Sequence, residues 1–416
     1  MNQPEELLLR NATIWAGKPI RKIKGYMRIR QGKIAEVTEH DGDASVKGKD
    51  MKNAHIVPGL IDAHRHFFVS ALLPLYGNAD SWTSKDDALS AIQEACRSGE
   101  RDKPWIFFSG LDNTKWERPA LPRQHEIDDV AAGSPVLVVD TTFHRGLVST
   151  AALRRIGMSR SALQWPMDID LCRDGTPKGT IWEYAVGRVL FHMYREMFRS
   201  YSEEEKRRIV LDEADRCLQR GLTHVHDPGI PSDVQRIMRD AQAHTRLKMS
   251  WSVTDYESLL APPDVQDDLD ALHSDHAPKS AKFFLDGANR TAASMPVIAG
   301  LKAALRAAKD SVSTGSFFPL HQLFDQKSTL KGGKIYLPYL RFADTGELVR
   351  RAGFFMDRGY RLVMHALGNV AASQAACAVR ELGAGAVSSI EHVLVMDHGG
   401  LDPFAASGAV ASLQPG

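Results

Sequence analysis

Two histidines separated by one residue, His64 and His66, end the apolar run IVPGLIDAHRH. If this run is a β-strand, residues i and i+2 point to the same face, so both imidazoles lie side by side at the end of the strand. Imidazole is a common ligand of zinc and related ions. The spacing therefore predicts a metal-binding pair, and the alternative is two surface histidines at a strand end.

A second pair with the same spacing, His224 and His226, lies in the segment GLTHVHDPG. On spacing alone, either pair could bind a metal. The first pair follows Pro-Gly, two apolar residues and Asp62, whereas the second is followed by Asp227 and Pro228. We therefore assign the metal to the first pair and a structural or supporting role to the second.

Short apolar runs alternate with amphipathic segments from Ile56 onward, which favours parallel strands connected by helices. About eight such units predict an α/β fold of the (β/α)8 TIM type, whose active sites lie at the carboxyl ends of the strands. The eight strand runs begin IVPGL, VLVVD, GLTHV, LKMSW, AKFFL, YRLVM, SSIEH and GAVAS. A helix is predicted after Ser202, with Glu205 completing a capping box and Gly221 ending it.

The chain divides into two parts on these patterns. Residues 1–56 carry short β-prone runs, with a hairpin turn in RQGKI, and predict a small N-terminal β-sandwich module. Residues 57–416 form the predicted barrel, with an insertion at about 75–200 as a cap over its mouth. Residues about 311–342 read as a long irregular loop. The tryptophans of the insertion could line an apolar pocket, although core packing is their commoner role: Trp82, Trp105, Trp116, Trp165 and Trp182.

The string VPGLIDAHRHF resembles the first-strand metal motif of the amidohydrolase superfamily. Further segments, in order along the chain, resemble the motifs of its amidohydrolase-3 (YtcJ-like) branch: DGTPKGTIWE, GLTHVHDPG, KFFLDGANRTAAS, HALGN, IEHV and SLQP. These matches span almost the whole chain. The resemblance implies a metal-dependent hydrolase built on a barrel.

The resemblance also implies a role for individual residues. One or two divalent metal ions, zinc before others, would be held by His64, His66, Lys282, His365 and His392. Lys282 would be carboxylated to bridge two metals, which requires burial to lower its pKa. The alternatives are an ion pair of Lys282 with Asp286, an ion pair of His392 with Glu391, and a core position for His365. His144 and Asp286 would contact substrate.

Two departures from the family pattern affect the expected activity. The aspartate that members carry at the end of the eighth strand, where it serves as general base, is not found in this sequence. We therefore expect a chain cut short after the seventh strand, and a slow enzyme unless Asp227, Asp286 or Asp397 replaces that base. Asn369 stands where the family usually has an acid, which puts the orientation of His365 in question.

Three functions remain as hypotheses. The first is hydrolysis of a C–N bond in an amide or N-acyl compound by a metal-activated hydroxide. The second is deamination of an N-heterocycle with one metal and without the lysine ligand. The third is a non-catalytic or truncated relative that keeps the fold. The net charge of +1 gives no reason to expect nucleic acid or membrane as partner, so a small-molecule substrate is expected. A cytoplasmic location follows by default, and a homo-oligomer stays open.

Overall fold

The structure is a computed structural model that describes residues 6–39, 48–98, 103–158, 168–231, 234–254, 276–314 and 328–413. The predictions for Trp165, for residues 315–327 of the expected loop and for residues 414–416 lie outside these ranges. The contacts divide the chain into two compact units, Met1–Asp62 with Cys217–His224, and Ala63–Arg216 with Val225–Gly416.

Strands and helices alternate along most of the described chain. The strands are β1 (Glu6–Ala16), β2 (Arg21–Arg30), β3 (Lys33–Thr38), β4 (Lys49–Asp50), β5 (His55–Ile56), β6 (Leu60–Asp62), β7 (Gly77–Asn78), β8 (Ile106–Leu111), β9 (Val136–Asp140), β10 (Arg145–Val148), β11 (Ile169–Leu171), β12 (Pro177–Trp182), β13 (Leu222–Ile230), β14 (Lys248–Thr254), β15 (Ser280–Phe284), β16 (Ala292–Pro296), β17 (Thr329–Lys331), β18 (Lys334–Pro338), β19 (Arg361–Ala366), β20 (Ser388–His392) and β21 (Val410–Ser412). The α-helices are α1 (Phe67–Leu72), α2 (Lys85–Arg97), α3 (Gln124–Ala131), α4 (Thr150–Arg155), α5 (Glu183–Arg199), α6 (Glu203–Gln219), α7 (Gln235–Gln242), α8 (Val297–Thr314), α9 (Thr345–Met356), α10 (Asn369–Glu381) and α11 (His398–Ser407). Among these helices, none is long and apolar enough to cross a bilayer.

The first unit contains a sheet in the order β3-β2-β1-β4, with β5 also paired to β1. β2 and β3 form the predicted hairpin, since Arg30 pairs with Lys33 across a two-residue turn. Both turn residues have positive φ, 48° at Gln31 and 73° at Gly32, and Gly32 adopts this backbone at low cost. The β module is therefore described as one sheet. A sandwich and the boundary at residue 56 stay predictions.

The main sheet of the chain has the strand order β21-β20-β19-β15-β14-β13-β6. The pairs from β14 to β21 are parallel, and the sheet curls into a half-barrel. Seven of the eight strand runs predicted from the sequence are in this sheet. The described residues show no pairing that joins β21 to β6, so a complete eight-stranded barrel is not confirmed.

The prediction for the run VLVVD as a barrel strand was wrong. This run is β9, and it lies in a separate six-stranded sheet of the order β11-β12-β10-β9-β8-β7, built from residues 77–182. β7, β8 and β9 are parallel, whereas β10, β12 and β11 are antiparallel. A fully apolar strand only requires burial on both faces, which either sheet provides.

The helices of the second half cover one face of the parallel sheet. Alanines of α10 and apolar residues of α9 pack in one core with the strands β15 and β19. The small side chains at Ala371, Ala372, Ala375 and Ala376 let α10 approach closely, and all are fully or almost fully buried. This packing fixes the strands whose carboxyl ends carry the predicted ligands.

The predicted loop at 311–342 was wrong at both of its described ends. Its first residues complete α8, and its last part forms the antiparallel strands β17 and β18, which join β16 in a small sheet. The pattern KGGK between the two strands is a turn with positive φ at Gly332 and Gly333. A short hairpin of this kind has too few residues to show clear alternation in the sequence.

Candidate active site

The register of the parallel strands brings the predicted site residues to one edge of the sheet. Phe284 of β15 pairs with His365 of β19, which pairs in turn with Glu391 of β20. His392 follows at the end of β20. Because the strands are parallel, their carboxyl ends meet at the same edge, so residues far apart in sequence become neighbours.

The four predicted histidine ligands form one cluster. The ring centroids of His365 and His392 are 4.5 Å apart, those of His64 and His392 are 4.8 Å apart, and those of His64 and His66 are 5.6 Å apart. His365 is buried, and its Nε2 has no hydrogen-bond partner in the described residues. Burial holds the pKa of His365 well below its usual value, with a smaller effect of the positive charges around it.

Lys282 lies at the base of this cluster and is completely buried. Its Nζ has no hydrogen-bond partner within the part of the chain that the structure describes. Burial lowers the pKa of Lys282 to about 8, although the charges of Glu391 and Asp227 raise it. A buried amine without a partner is costly, so the position calls for a ligand or a modification.

The alternative ion pair of Lys282 with Asp286 is not formed. The Asp286 carboxylate instead accepts three backbone N–H groups: Oδ1 from Leu367, and Oδ2 from Gly368 and Ala292. Oδ1 also lies 4.0 Å from Nε2 of His365. Burial raises the pKa of Asp286 to about 7, against these hydrogen bonds, which lower it.

Glu391 received no functional role from the sequence beyond an ion pair with His392. In the structure its Oε2 lies 2.8 Å from Nδ1 of His64. Burial alone would raise the pKa of Glu391, but the hydrogen bond with His64 and the charge of Lys282 lower it to about 2. A carboxylate on Nδ1 fixes the ring of His64 and leaves Nε2 to act as a ligand.

The other two candidate bases have different surroundings. Asp227 is buried, accepts the N–H groups of Phe68 and Gly229, and lies 3.9 Å from Nδ1 of His66. Burial raises the pKa of Asp227 to about 7. Asp397 is exposed and caps α11 by accepting the N–H of Gly400. Its position indicates a structural role.

His226, of the second histidine pair, has hydrogen-bond partners of its own. Both ring nitrogens of His226 have serine partners, Ser250 Oγ at 2.9 Å from Nδ1 and Ser252 Oγ at 3.1 Å from Nε2. These contacts support the structural role that we preferred for this pair.

The half-buried His144 and the buried Glu183 form a pair beside the cluster. Nδ1 of His144 lies 2.6 Å from Oε2 of Glu183, and the His144 ring stacks on His365 with centroids 5.7 Å apart. Burial would lower the pKa of His144, but the charge and hydrogen bond of Glu183 raise it above its usual value. Glu183 was not predicted as a site residue, although it ends the motif DGTPKGTIWE.

The segment 287–290 wraps around the Glu183 carboxylate. The backbone N–H groups of Ala288, Asn289 and Arg290 donate to its two oxygens. A Cβ at position 287 would lie 2.1 Å from Cδ of Glu183, so Gly287 is required for this approach. This segment, GANR, lies in a motif that the resemblance singled out.

Part of the strained backbone of the described chain lies around these residues. Phe143, Glu183, His392 and Val393 all have positive φ, between 42° and 75°, although none is a glycine. Such conformations cost of order 1–3 kcal/mol each and persist where the surroundings impose them. Phe143 and Glu183 flank His144 in space, and His392 is itself a predicted ligand.

The donor chemistry of the cluster fits a divalent metal. Two buried nitrogens without partners, Lys282 Nζ and His365 Nε2, lie among further imidazoles, and a carboxylate orients one of these rings. Among the described residues, however, no three His, Cys, Asp or Glu side chains already converge as a metal-binding group. The cluster therefore brings together residue types that bind metal ions, and the described side chains do not form a coordination shell.

A cavity of about 340 Å³ opens beside the cluster. His66, His144, Glu183 and Asp286 line one part of it, and apolar side chains line most of the rest. The four described tryptophans of the insertion are buried and are not among the lining residues, so the expectation of core packing is confirmed for them: Trp82, Trp105, Trp116 and Trp182.

The curled parallel sheet thus carries a cluster of histidines and a buried lysine at its carboxyl edge. The model of the amidohydrolase family matches residues 48–416, and the chain belongs to that family.

Two curated relatives of the chain have names that refer to amide hydrolysis. The chain is 26% identical over 256 residues to the N-substituted formamide deformylase of Arthrobacter pascens, a match that covers 58% of this chain and 46% of that protein. It is 25% identical over 197 residues to the putative amidohydrolase YtcJ of Bacillus subtilis (strain 168), covering 47% and 36%. The matched regions thus span less than half of either relative.

A solved structure supports the fold. An uncharacterized metal-dependent hydrolase from Pyrococcus horikoshii OT3 superposes with a TM-score of 0.65 at 17% identity, covering 99% of this chain and 74% of that one. A counterpart from Pyrococcus furiosus gives 0.63 at 16% identity. At these identities the likeness concerns the fold alone.

Proposed function

We propose that this chain is a metal-dependent hydrolase that cleaves the C–N bond of an amide or N-acyl compound. The observation that carries the proposal is the pair of buried, unpartnered nitrogens, Lys282 Nζ and His365 Nε2, within a cluster of further histidines. Membership of the amidohydrolase family and the name of the formamide deformylase relative support the same reaction class.

The residues that would hold one or two divalent ions, zinc first, are His64, His66, Lys282, His365 and His392. Carboxylation of Lys282 is favoured by burial, which keeps part of the amine neutral. A bound ion supplies a Lewis acid for the amide carbonyl and lowers the pKa of water towards neutrality. Glu391 holds the ring of His64, so its contribution is orientation.

We assign proton transfer to Asp286 because of its position in the wall of the cavity. Of the three candidate aspartates, Asp286 lines the cavity, whereas Asp397 caps a helix. Oδ1 of Asp286 accepts one backbone N–H, from Leu367, and so keeps a lone pair for a proton. His144, held on Nδ1 by Glu183, presents its other ring nitrogen for a substrate hydrogen bond.

The test is the metal content of the purified chain, measured by elemental mass spectrometry. We expect one to two transition-metal ions per chain, and their loss in the double variant His64→Ala/His66→Ala. The matched control is His125→Ala/His244→Ala, which removes two exposed histidines and should leave the content unchanged. Metal-loaded chain should release amine from simple amides, and chelation should stop the release. Equal metal content in all three proteins would contradict the proposal.

A further inference from the structure

Arg65 lies between the two predicted ligands His64 and His66, and its side chain contacts a different part of the molecule. The rings of His64 and His66 are close together, with centroids 5.6 Å apart. The guanidinium of Arg65 instead reaches α6, where its Nη2 lies 2.6 Å from Oε1 of Glu213. Since Arg65 is joined to both histidines through the backbone, a contact that fixes Arg65 also restricts where the two rings can lie.

Glu213 is a buried carboxylate with an arginine at each of its oxygens. Its side chain is 2% exposed, and its Oε2 accepts a hydrogen bond of 2.7 Å from Nε of Arg216. Hydrogen bonds between two charged groups are short and stronger than those between neutral groups. The two ion pairs share one carboxylate, but only the pair with Arg65 leads to the predicted ligands.

The segment from His64 to Phe68 is also held by β13. The N–H of Arg65 donates to the carbonyl of His226 at 2.9 Å, and the N–H of Phe68 donates to Oδ2 of Asp227 at 2.8 Å. α6 and β13 are consecutive along the chain. One helix and the strand that follows it thus hold the segment through a side chain and through the backbone.

His66 has the weaker support of its own among the two ligands. Its side chain is 51% exposed and lines the cavity, and its Nδ1 lies 3.9 Å from Oδ1 of Asp227, beyond hydrogen-bond distance. His64, in contrast, has the carboxylate of Glu391 at its Nδ1. An ion that must first order a ligand binds less tightly than one that meets a fixed ligand. The position of His66 therefore depends strongly on the backbone that Arg65 anchors.

We propose that Glu213 is a positioning residue of the metal site, which acts through Arg65 on His64 and His66. The proposal rests on the function proposed above and adds a residue that touches neither metal nor substrate. A carboxylate that only stabilised α6 would have no effect on metal binding through either arginine. Positioning gives the ion pair with Arg65 an effect on metal affinity that the ion pair with Arg216 lacks.

The test is the zinc affinity of the full chain, measured by competition with a chromophoric chelator. Arg65→Met and Glu213→Gln should each weaken zinc binding at least about tenfold, as expected when the support of a ligand is lost. The double variant should lose no more than the weaker of the two single variants, because both changes remove one contact. Arg216→Met is the matched control: it removes the other ion pair of Glu213 and should leave the zinc affinity unchanged.

Two further readouts separate positioning from a general loss of structure. Cobalt(II) bound in place of zinc should show an altered visible spectrum in Arg65→Met and Glu213→Gln but not in Arg216→Met, because the spectrum depends on ligand geometry. In metal-free chain with isotope-labelled histidine, the ring signals of His66, assigned with His66→Ala, should shift in the same two variants only. Should Glu213→Gln fail to fold, Arg65→Met carries the comparison, since the Arg65 side chain is 23% exposed.

The outcomes distinguish this inference from the function on which it rests. If the original protein binds no zinc, the proposed function is contradicted and there is no metal site for Glu213 to support. If the original protein binds zinc and Arg65→Met binds it equally well, the positioning role is overturned and the hydrolase stands. The same holds if Glu213→Gln and Arg216→Met weaken binding equally, or if the two losses in the double variant are strictly additive.

Discussion

The carboxylate of Glu183 contacts more groups than the His144 ring alone. Three consecutive backbone N–H groups and the His144 ring share its two oxygens, and its own φ of 42° is strained. The carboxylate thereby fixes both the turn at residues 287–290 and the tautomer of His144. Glu183, the first residue of α5, therefore connects this helix with His144, and both line the cavity.

Glu183→Ala should therefore lower the free energy of unfolding by about 3–5 kcal/mol. The change leaves three backbone N–H groups without their acceptor, one of them in the buried residue Arg290, and each such loss is costly. Urea unfolding measures the effect. Glu117→Ala, at an exposed position, is the control and should stay within about 0.5 kcal/mol of the original protein. A change of similar size in both variants would show that the hydrogen bonds of Glu183 contribute little.

Asn369, which departs from the acid usual in the family, has a clear structural role. Its amide accepts the N–H of Ser294, donates to the Ser294 carbonyl at 3.0 Å, and donates to Oδ2 of Asp397 at 3.1 Å. An acid at this position could not donate to either oxygen. The amide is thus matched to Asp397 rather than to His365.

Asn369→Asp should lower the unfolding free energy by about 1–3 kcal/mol, because it places a second carboxylate against Asp397 and removes two donors. In the double variant Asn369→Asp/Asp397→Asn, part of the lost stability should be recovered, because the amide at position 397 can donate to the carboxylate at position 369. Denaturant unfolding of the two single variants and the double variant gives the coupling. Purely additive effects would contradict the pairing.

At the scale of elements, local signals predicted local structure well. Ser202 and Glu205 form the expected capping box: the N–H of Ser202 donates to Oε2 of Glu205 at 2.8 Å, and the N–H of Glu205 donates to Ser202 Oγ at 3.3 Å. The hairpin at RQGKI also formed as predicted. The assignment of β9 to the wrong sheet shows the limit, because apolar composition reports burial and not the neighbouring strand.

The cap of α6 gives a prediction at this scale. Ser202→Ala should destabilise the protein by about 0.5–2 kcal/mol, since it leaves an N-terminal N–H of the helix without its acceptor. Ser202→Asp keeps an acceptor and should recover most of the stability. Thermal unfolding of the three proteins tests this, and an equal loss in both variants would assign the effect to something other than capping.

At the scale of the whole molecule, the site depends on contacts between residues far apart in sequence. Nδ1 of His64 and Oε2 of Glu391 are 2.8 Å apart, although the two residues are 327 positions apart in the sequence. Periodicity and spacing placed His64 and His66 together, but no local pattern could join them to Lys282, His365 and His392. Their grouping was expected only from the family resemblance, and neither the contact of Glu391 with His64 nor the contact of Glu183 with His144 was expected.

The stability of the whole chain should also reveal whether Lys282 is a ligand. In metal-free protein, its buried amine has no hydrogen-bond partner among the described residues, so Lys282→Met should leave the unfolding free energy unchanged or raise it by about 1–3 kcal/mol. Zinc at about 100 times its dissociation constant should stabilise the original protein by about 2.7 kcal/mol. The variant, lacking one ligand, should gain clearly less.

The effect of Lys282→Met should thus change sign between metal-free and metal-loaded protein, which a packing role alone does not predict. Urea unfolding with and without zinc measures it, with the bound metal counted in the same samples. Lys302→Met, at an exposed position of α8, should be neutral in both states. Equal stabilisation of Lys282→Met and the original protein by zinc would remove Lys282 from the metal site, and the histidines alone would then hold the ion.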